Sequence, residues 1–235
     1  MWFDPMYFVY VGPAILLAMW AQMKVKSAYR QAGRIPASSG LSGAQTAQRI
    51  LNAFGIADVA IEPVKSFLGD HYDPKRKVLR LSPEVYNGRS LASLGIAAHE
   101  VGHAIQDARG YAPLAIRNGL VPTASVGSQL SMALIFGGLM LSYFSRGSGI
   151  GQILAAGGLG LFGVVVLFQL VNLPVEFNAS SRARAILLDQ GMVTVSEDKV
   201  VGKVLTAAAM TYVAATITAI LTMLYYASIV FGRRN

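Results

Sequence analysis

The chain has no cysteine. That excludes disulfides and thiolate ligands, so any zinc it holds must be bound by His, Asp or Glu. Histidine is scarce as well: His71, His99 and His103 are the three in 235 residues. Charged residues make up only 14% against 54% hydrophobic ones, and the mean hydropathy is +0.48. A soluble domain of this length rarely has that balance. The lack of charge is complete in four runs, roughly Tyr7–Met23, Leu120–Phe144, Ile150–Leu173 and Val204–Val230, which contain no Asp, Glu, Lys or Arg. Each is long enough, or nearly so, to cross a hydrocarbon core of about 30 Å. One such run is commonly a buried core helix, but four together indicate a multi-pass membrane protein. Spans without ionisable groups disfavour a transporter, which needs them for its ions or protons. Gly137-Gly138 and Gly157-Gly158 within the second and third runs suit close helix contact in lipid.

The charge that is present is unevenly placed. The net charge of +8 raises nucleic acid as a partner, but the distribution argues for a membrane instead: thirteen of the twenty Lys and Arg lie between the first and second runs and four between the third and fourth. Only Arg146, Arg233 and Arg234 fall on the other side. The positive-inside rule therefore predicts that the two long loops face the cytoplasm and the Ser145–Gly149 turn faces out. Lys24, Lys26, Arg30 and Arg34, just after the first run, can also meet anionic lipid. No basic residue precedes the first run, so it is expected to be a retained anchor with its N-terminus outside.

The chemistry-bearing stretch is His99-Glu100-Val101-Gly102-His103, an H-E-x-x-H pattern. On a helix, two histidines four apart stand one turn apart on one face and can reach one metal ion. The glutamate between them is placed to take a proton from water at that metal. Leu94, Ala98, Val101 and Ile105 form an apolar stripe at helical spacing nearly opposite the two histidines, and Gly110 and Pro113 supply a stop.

A catalytic zinc site needs a third protein ligand and an open position for water. Glu176, just past the third run, and His71, in the turn-like Asp70–Lys77 segment, are the candidates. The second and third runs form a hairpin that returns to the same side as the H-E-x-x-H segment, which favours Glu176. Asp107, four residues after His103, is a candidate carboxylate support for a metal histidine. Ser42 is expected to cap a helix ending at Gly55, and Gln31–Ser39 reads as a linker. Asp58–Pro63 and Lys77–Ser82 read as strands, the second offering an edge to an extended peptide.

Leu41-Ser-Gly43, Asp70-His-Tyr-Asp-Pro74, Leu81-Ser82, His99–Gln106 and Pro174-Val-Glu-Phe177 together resemble the YugP-like neutral zinc metallopeptidases of bacterial membranes. More distantly, the order H-E-x-x-H, membrane hairpin, Glu-Phe-x-Ala is similar to the HtpX and CAAX-protease type. That resemblance implies a gluzincin-like site with His99, His103 and Glu176 as ligands and Glu100 as base. The HtpX type commonly carries an aspartate four residues after the glutamate ligand, where this chain has Ser180.

The fold expected is a mainly α membrane protein with about four transmembrane helices and a cytoplasmic zincin-like α+β catalytic region. Its segments are an anchor at 1–23, a cytoplasmic region with a small sheet and the H-E-x-x-H helix at 24–117, and a helical hairpin at 118–173. A cytoplasmic helix with the third ligand at 174–203 and a last transmembrane helix at 204–235 complete it. The expected activity is zinc-dependent endopeptidase action on peptide or membrane-protein substrates, with one zinc per chain, in the inner or plasma membrane of a bacterium and with the site facing the cytoplasm. His71, Tyr111, Arg182 and Arg184 are the possible transition-state donors. The competing reading is a non-catalytic scaffold or chaperone with a structural zinc, for which His71 would be the closing fourth ligand.

Overall fold

The structure, a computed structural model, describes residues 5–65, 69–145 and 149–232. Arg146, Ser148, Arg233 and Arg234, on which part of the charge argument rests, lie outside the described residues. The elements in order are α1 (Pro5–Gly33), α2 (Gly43–Ala53), β1 (Ala60–Pro63), β2 (His71–Asp73), β3 (Val78–Leu81), α3 (Pro83–Tyr86), α4 (Leu91–Ala108), α5 (Ala112–Phe144), α6 (Gly149–Asp189) and α7 (Val195–Gly232). The chain divides into two compact units: one takes its residues from 1–20, 116–173 and 212–235, the other from 21–115 and 174–211.

The first unit carries the apolar runs. α1, α5, α6 and α7 are each long and apolar enough to cross a membrane. Inside this unit small residues set the helix spacing. A Cβ on Gly138 would fall 2.4 Å from the backbone nitrogen of Ala155, and one on Gly158 2.8 Å from Ser131 O, so α5 and α6 touch backbone to backbone. Phe8, Leu16, Phe136, Phe144 and Ile153 point outward. The Thr216 hydroxyl bonds both within its own helix, to Tyr212 O at 2.8 Å, and across to Gln169 O of α6 at 3.4 Å.

The second unit has a water-soluble type of core. Ser42 caps α2 in a reciprocal capping box, accepting from the Gln45 N–H at 3.2 Å while its own N–H donates to Gln45 Oε1 at 2.9 Å. Gly55, at φ +68°, ends that helix as expected. The Gln31–Ser39 linker is shorter than expected, because α1 continues to Gly33. The chain beyond is held in place by an Ala37 N–H bond to Arg89 O at 2.9 Å.

The sheet has the order β1-β3-β2, with β1 parallel and β2 antiparallel to β3. Two expectations change here. Asp70–Lys77 is not wholly a turn: His71–Asp73 pairs with β3, and only the residues that follow turn back, with Asp73 Oδ1 accepting from the N–H groups of Lys75 and Arg76 at 3.0 and 3.1 Å. Three residues are too few to show a strand period in sequence, so the pairing partner reveals the strand. β3 is central and paired on both sides, so it has no edge to offer a peptide.

α4 starts at the Ser90 cap, whose hydroxyl accepts from the Ser93 N–H at 3.2 Å, and stops at Gly110, φ +63°. The stripe Leu94, Ala98, Val101 and Ile105 is fully buried, as its spacing predicts. The opposite side is covered too, by α6: a Cβ on Gly102 would lie 2.9 Å from Ala179 O. The helix expected to begin near Pro174 is instead the continuation of α6. Proline removes one backbone donor, but Val175, Ala179 and Ala183, one turn apart and fully buried, hold the helix through it.

Candidate metal centre

Glu176 therefore projects from the body of a helix rather than from its first turn, so a helix N-terminus does not account for it. Its Oε2 lies 3.2 Å from His99 Nε2 and 3.8 Å from His103 Nε2. The ligand atoms of His99, His103 and Glu176 all lie within 4.8 Å of one another, and Glu176 is 3% exposed. The two imidazoles stand nearly perpendicular, at 85°, with centroids 4.8 Å apart.

Each histidine has its other nitrogen occupied. His103 Nδ1 lies 3.0 Å from Gln106 Oε1, and His99 Nδ1 lies 3.2 Å from Ser180 Oγ. Both Nε2 atoms are left turned towards the carboxylate. Ser180 thus contacts the candidate ligand His99. Asp107 does not support a metal histidine. Its Oδ2 accepts from the Tyr72 hydroxyl at 2.8 Å and from Lys77 Nζ at 2.7 Å, tying α4 to the sheet. Gln106 holds His103, and sequence reading missed it. The signal available was its i+3 spacing from His103 on the helix, where side chains are neighbours.

Glu100 is 9% exposed, and its Oε2 accepts the Tyr72 N–H of β2 at 3.1 Å. Burial pushes its pKa up to about 7; the Glu176 and Asp70 carboxylates add to the rise, while His99 and His71 oppose it. Asp70 is also raised, by burial above all, although it accepts the N–H and hydroxyl of Ser82 at 2.7 and 3.0 Å.

The remaining candidates have partners outside the three ligand residues. His71 donates from Nδ1 to Gly69 O at 2.7 Å, and its Nε2 faces Arg80 Nη1 at 3.4 Å. Arg182 Nε donates to Asn178 Oδ1 at 2.7 Å. Arg184 pairs with Asp198, Nε to Oδ1 at 2.9 Å. Tyr111 gives its backbone N–H to Gln106 O at 2.9 Å, at the end of α4.

Two imidazole nitrogens and one carboxylate oxygen are the donor set of a catalytic zinc site. At zinc–ligand lengths of about 2.0–2.1 Å, a tetrahedral site spaces its donors by about 3.3–3.4 Å. The 3.2 and 3.8 Å separations straddle that spacing. With both Nδ1 atoms taken up by neighbours, the residues present fit zinc.

The sequence of residues 7–231 matches the family model described as "Putative neutral zinc metallopeptidase". The chain is 43% identical over 231 residues to the Bacillus subtilis (strain 168) protein named "Putative membrane protease YugP", an alignment covering 98% of this chain and 99% of that one. No solved structure matches it. Four long apolar helices, a buried His-His-Glu cluster and a full-length match converge on one conclusion: this chain belongs to the neutral zinc metallopeptidase family.

Proposed function

We propose that the protein is a membrane-embedded zinc endopeptidase of the gluzincin type, with His99, His103 and Glu176 as ligands and Glu100 as general base. The observation that carries this reading is the convergence of the three ligand atoms to within 4.8 Å, from helices whose ligands lie more than seventy residues apart in sequence. Zinc bound there supplies a Lewis acid and lowers the pKa of water at its open position towards about 7.

Glu100 accepts the proton of the attacking water and returns it to the leaving amine. Burial raises its pKa to about 7 with no metal cation beside it; a dication would draw it down from there. The Tyr72 N–H fixes the carboxylate that performs this shuttle. A structural zinc site is normally closed by a fourth protein ligand, and His71 is occupied by Gly69 and Arg80 instead. That favours the enzyme over the scaffold.

The address proposed is the inner or plasma membrane of a bacterium, with the site on the cytoplasmic side and peptides or membrane proteins as substrates. Purified protein is expected to carry about one zinc per chain and to cleave casein in a chelator-sensitive way. A protein that holds zinc but never cleaves would end the peptidase reading. A cysteine introduced near Arg34 or Arg184 should resist an impermeant thiol reagent in intact cells, and one replacing Ser148 should react; the reverse labelling would invert the topology.

A further inference from the structure

We infer that Gln106 is a positioning residue that sets the tautomer of His103 and ties that histidine to the backbone carrying Glu176; the inference rests on the zinc site proposed above. The amide's orientation follows from its neighbours. A carbonyl oxygen only accepts, so the Gln106 atom 2.9 Å from Val175 O is the amide nitrogen. The Arg182 guanidinium only donates, and its Nε meets Asn178 Oδ1 at 2.7 Å. Asn178 therefore presents oxygen, which takes a second hydrogen bond from Gln106 Nε2 at 3.0 Å.

Both amide hydrogens of Gln106 are then used, and Oε1 is the atom facing His103 Nδ1 at 3.0 Å. An amide oxygen cannot donate, so Nδ1 carries a hydrogen, and the neutral ring then has its lone pair on Nε2. Nε2 is the nitrogen that lies 3.8 Å from Glu176 Oε2. The relay Arg182, Asn178, Gln106, His103 thus prepares the ligand before any metal arrives. Gln106 is fully buried, so water does not compete for its bonds.

The same amide acts on the second ligand. Val175 immediately precedes Glu176, so a hydrogen bond to its carbonyl fixes the backbone from which that carboxylate projects. One side chain therefore sets the position of two ligands from α4 and α6. His99 is held differently: the Ser180 hydroxyl rotates and can donate or accept, so it does not by itself choose a tautomer.

The test uses the full-length protein in detergent with isotope-labelled histidine ring nitrogens. With His71, His99 and His103 the sole imidazoles, their signals can be assigned by single substitutions. In metal-free wild type, His103 is expected to be the Nδ1–H tautomer. Gln106→Met, close in size but without the amide, should release the ring to a tautomer mixture and weaken zinc affinity by about 10–100-fold, read by competition with a chelating dye. Asn178→Ala removes the acceptor shared by Gln106 and Arg182 and should weaken zinc affinity in the same direction as Gln106→Met; unchanged tautomer and affinity there would overturn the Asn178 link.

The Nε2–H tautomer in wild type, a measurement that needs no variant to fold, would overturn the proposal, as would unchanged zinc affinity in Gln106→Met. Failure of the peptidase reading is separable. Wild type that binds zinc and leaves casein intact removes the activity while the tautomer assignment stands.

Discussion

The two units differ in what they expose and in what they bury beside their apolar clusters. In the unit drawn from 1–20, 116–173 and 212–235, large apolar side chains such as Leu16, Phe136 and Ile153 face outward, while the inside combines buried side chains such as Ile135 and Phe162 with glycine contacts such as Gly138 on Ala155. In the unit drawn from 21–115 and 174–211, Leu79, Leu81, Leu94 and Ile105 are fully buried, and Glu100, His103, Gln106 and Glu176 are buried with them. Lipid tails are as apolar as leucine, so the first unit gains specificity from close fit. The second gains stability from the hydrophobic effect and can hold polar groups inside, provided each finds partners. That difference predicts where substitutions cost chemistry, where they cost packing, and where pH matters.

The largest effects belong to the buried polar cluster. Replacing His99 and His103 together with alanine should abolish zinc binding, measured as metal per purified chain, since two of three ligands are gone. Glu100→Gln should keep zinc and fold yet reduce casein cleavage by about two or more orders of magnitude, because the amide cannot accept the proton. Full activity in that variant would mean that the base is another residue. Glu176→Ala should also lose zinc, while His71→Ala should retain it, because its ring is engaged with Gly69 and Arg80. The opposite pattern would replace the His-His-Glu site with a three-histidine one.

Legibility in the sequence followed the range of the interaction. Ser42 with Gln45, Gly55, Gly110 and the stripe Leu94–Ile105 are local signals, and each marks its element as expected. The spans were legible because absence of charge over twenty residues is a coarse signal. The His-His pair was legible from spacing, and Glu176 from hairpin topology together with family resemblance. What escaped depends on contacts between distant segments. β2 exists because β3 pairs with it, and Asp107 turns to Tyr72 and Lys77 because the sheet lies beside α4. Gln106 matters because Val175, sixty-nine residues on, offers it a carbonyl. Pro174 reads as a start signal in isolation and is overridden by the buried Val175, Ala179 and Ala183.

An intermediate effect tests the packing half of the comparison. Both units have a glycine that sets a helix contact, and the first has one that sets none. A Cβ at Gly102 meets Ala179 O at 2.9 Å and one at Gly138 meets Ala155 N at 2.4 Å, whereas Gly137 has nothing within 4 Å. Alanine at Gly102 or Gly138 has to push two backbones apart, which typically costs about 1–3 kcal/mol. Both should lower the thermal midpoint in detergent, and Gly137→Ala should not. Gly102→Ala should additionally weaken zinc binding, because Ala179 neighbours the segment carrying Glu176; Gly138→Ala should lose stability alone. Equal loss of zinc in the two would break the division between a chemical and an anchoring unit.

The smallest effect concerns acid. Among the described residues of the first unit there is no Asp or Glu, so pH-dependent stability from carboxylates has to come from the second. Glu197 is the clearest case. It forms a capping box with Thr194 at the start of α7, accepting the Thr194 N–H at 2.7 Å while its own N–H donates to the Thr194 hydroxyl at 3.3 Å. It also accepts the Ser38 N–H at 2.8 Å and hydroxyl at 2.7 Å. Burial alone raises its pKa, but these hydrogen bonds outweigh it and hold the carboxyl below the ordinary glutamate range. A folded-state pKa below the unfolded one means that the unfolded chain binds the proton more tightly. The stabilisation is therefore present above the unfolded value and is lost as pH falls through the folded value. Glu197→Gln keeps the capping geometry, as Gln45 does at α2, but removes the charge, and should lower the thermal midpoint near neutral pH by about 1–4 °C, as loss of a charge worth about 0.3–1 kcal/mol at a helix N-terminus implies. The gap to wild type should close as the pH is taken below the ordinary glutamate range and through the lowered folded-state value. Thr216→Val, which removes the hydroxyl bonds to Tyr212 O and Gln169 O in the first unit, should shift the midpoint by an amount that does not change over the same range. A Glu197→Gln gap that stays constant down to acid pH would show that the carboxylate's charge contributes nothing beyond its shape.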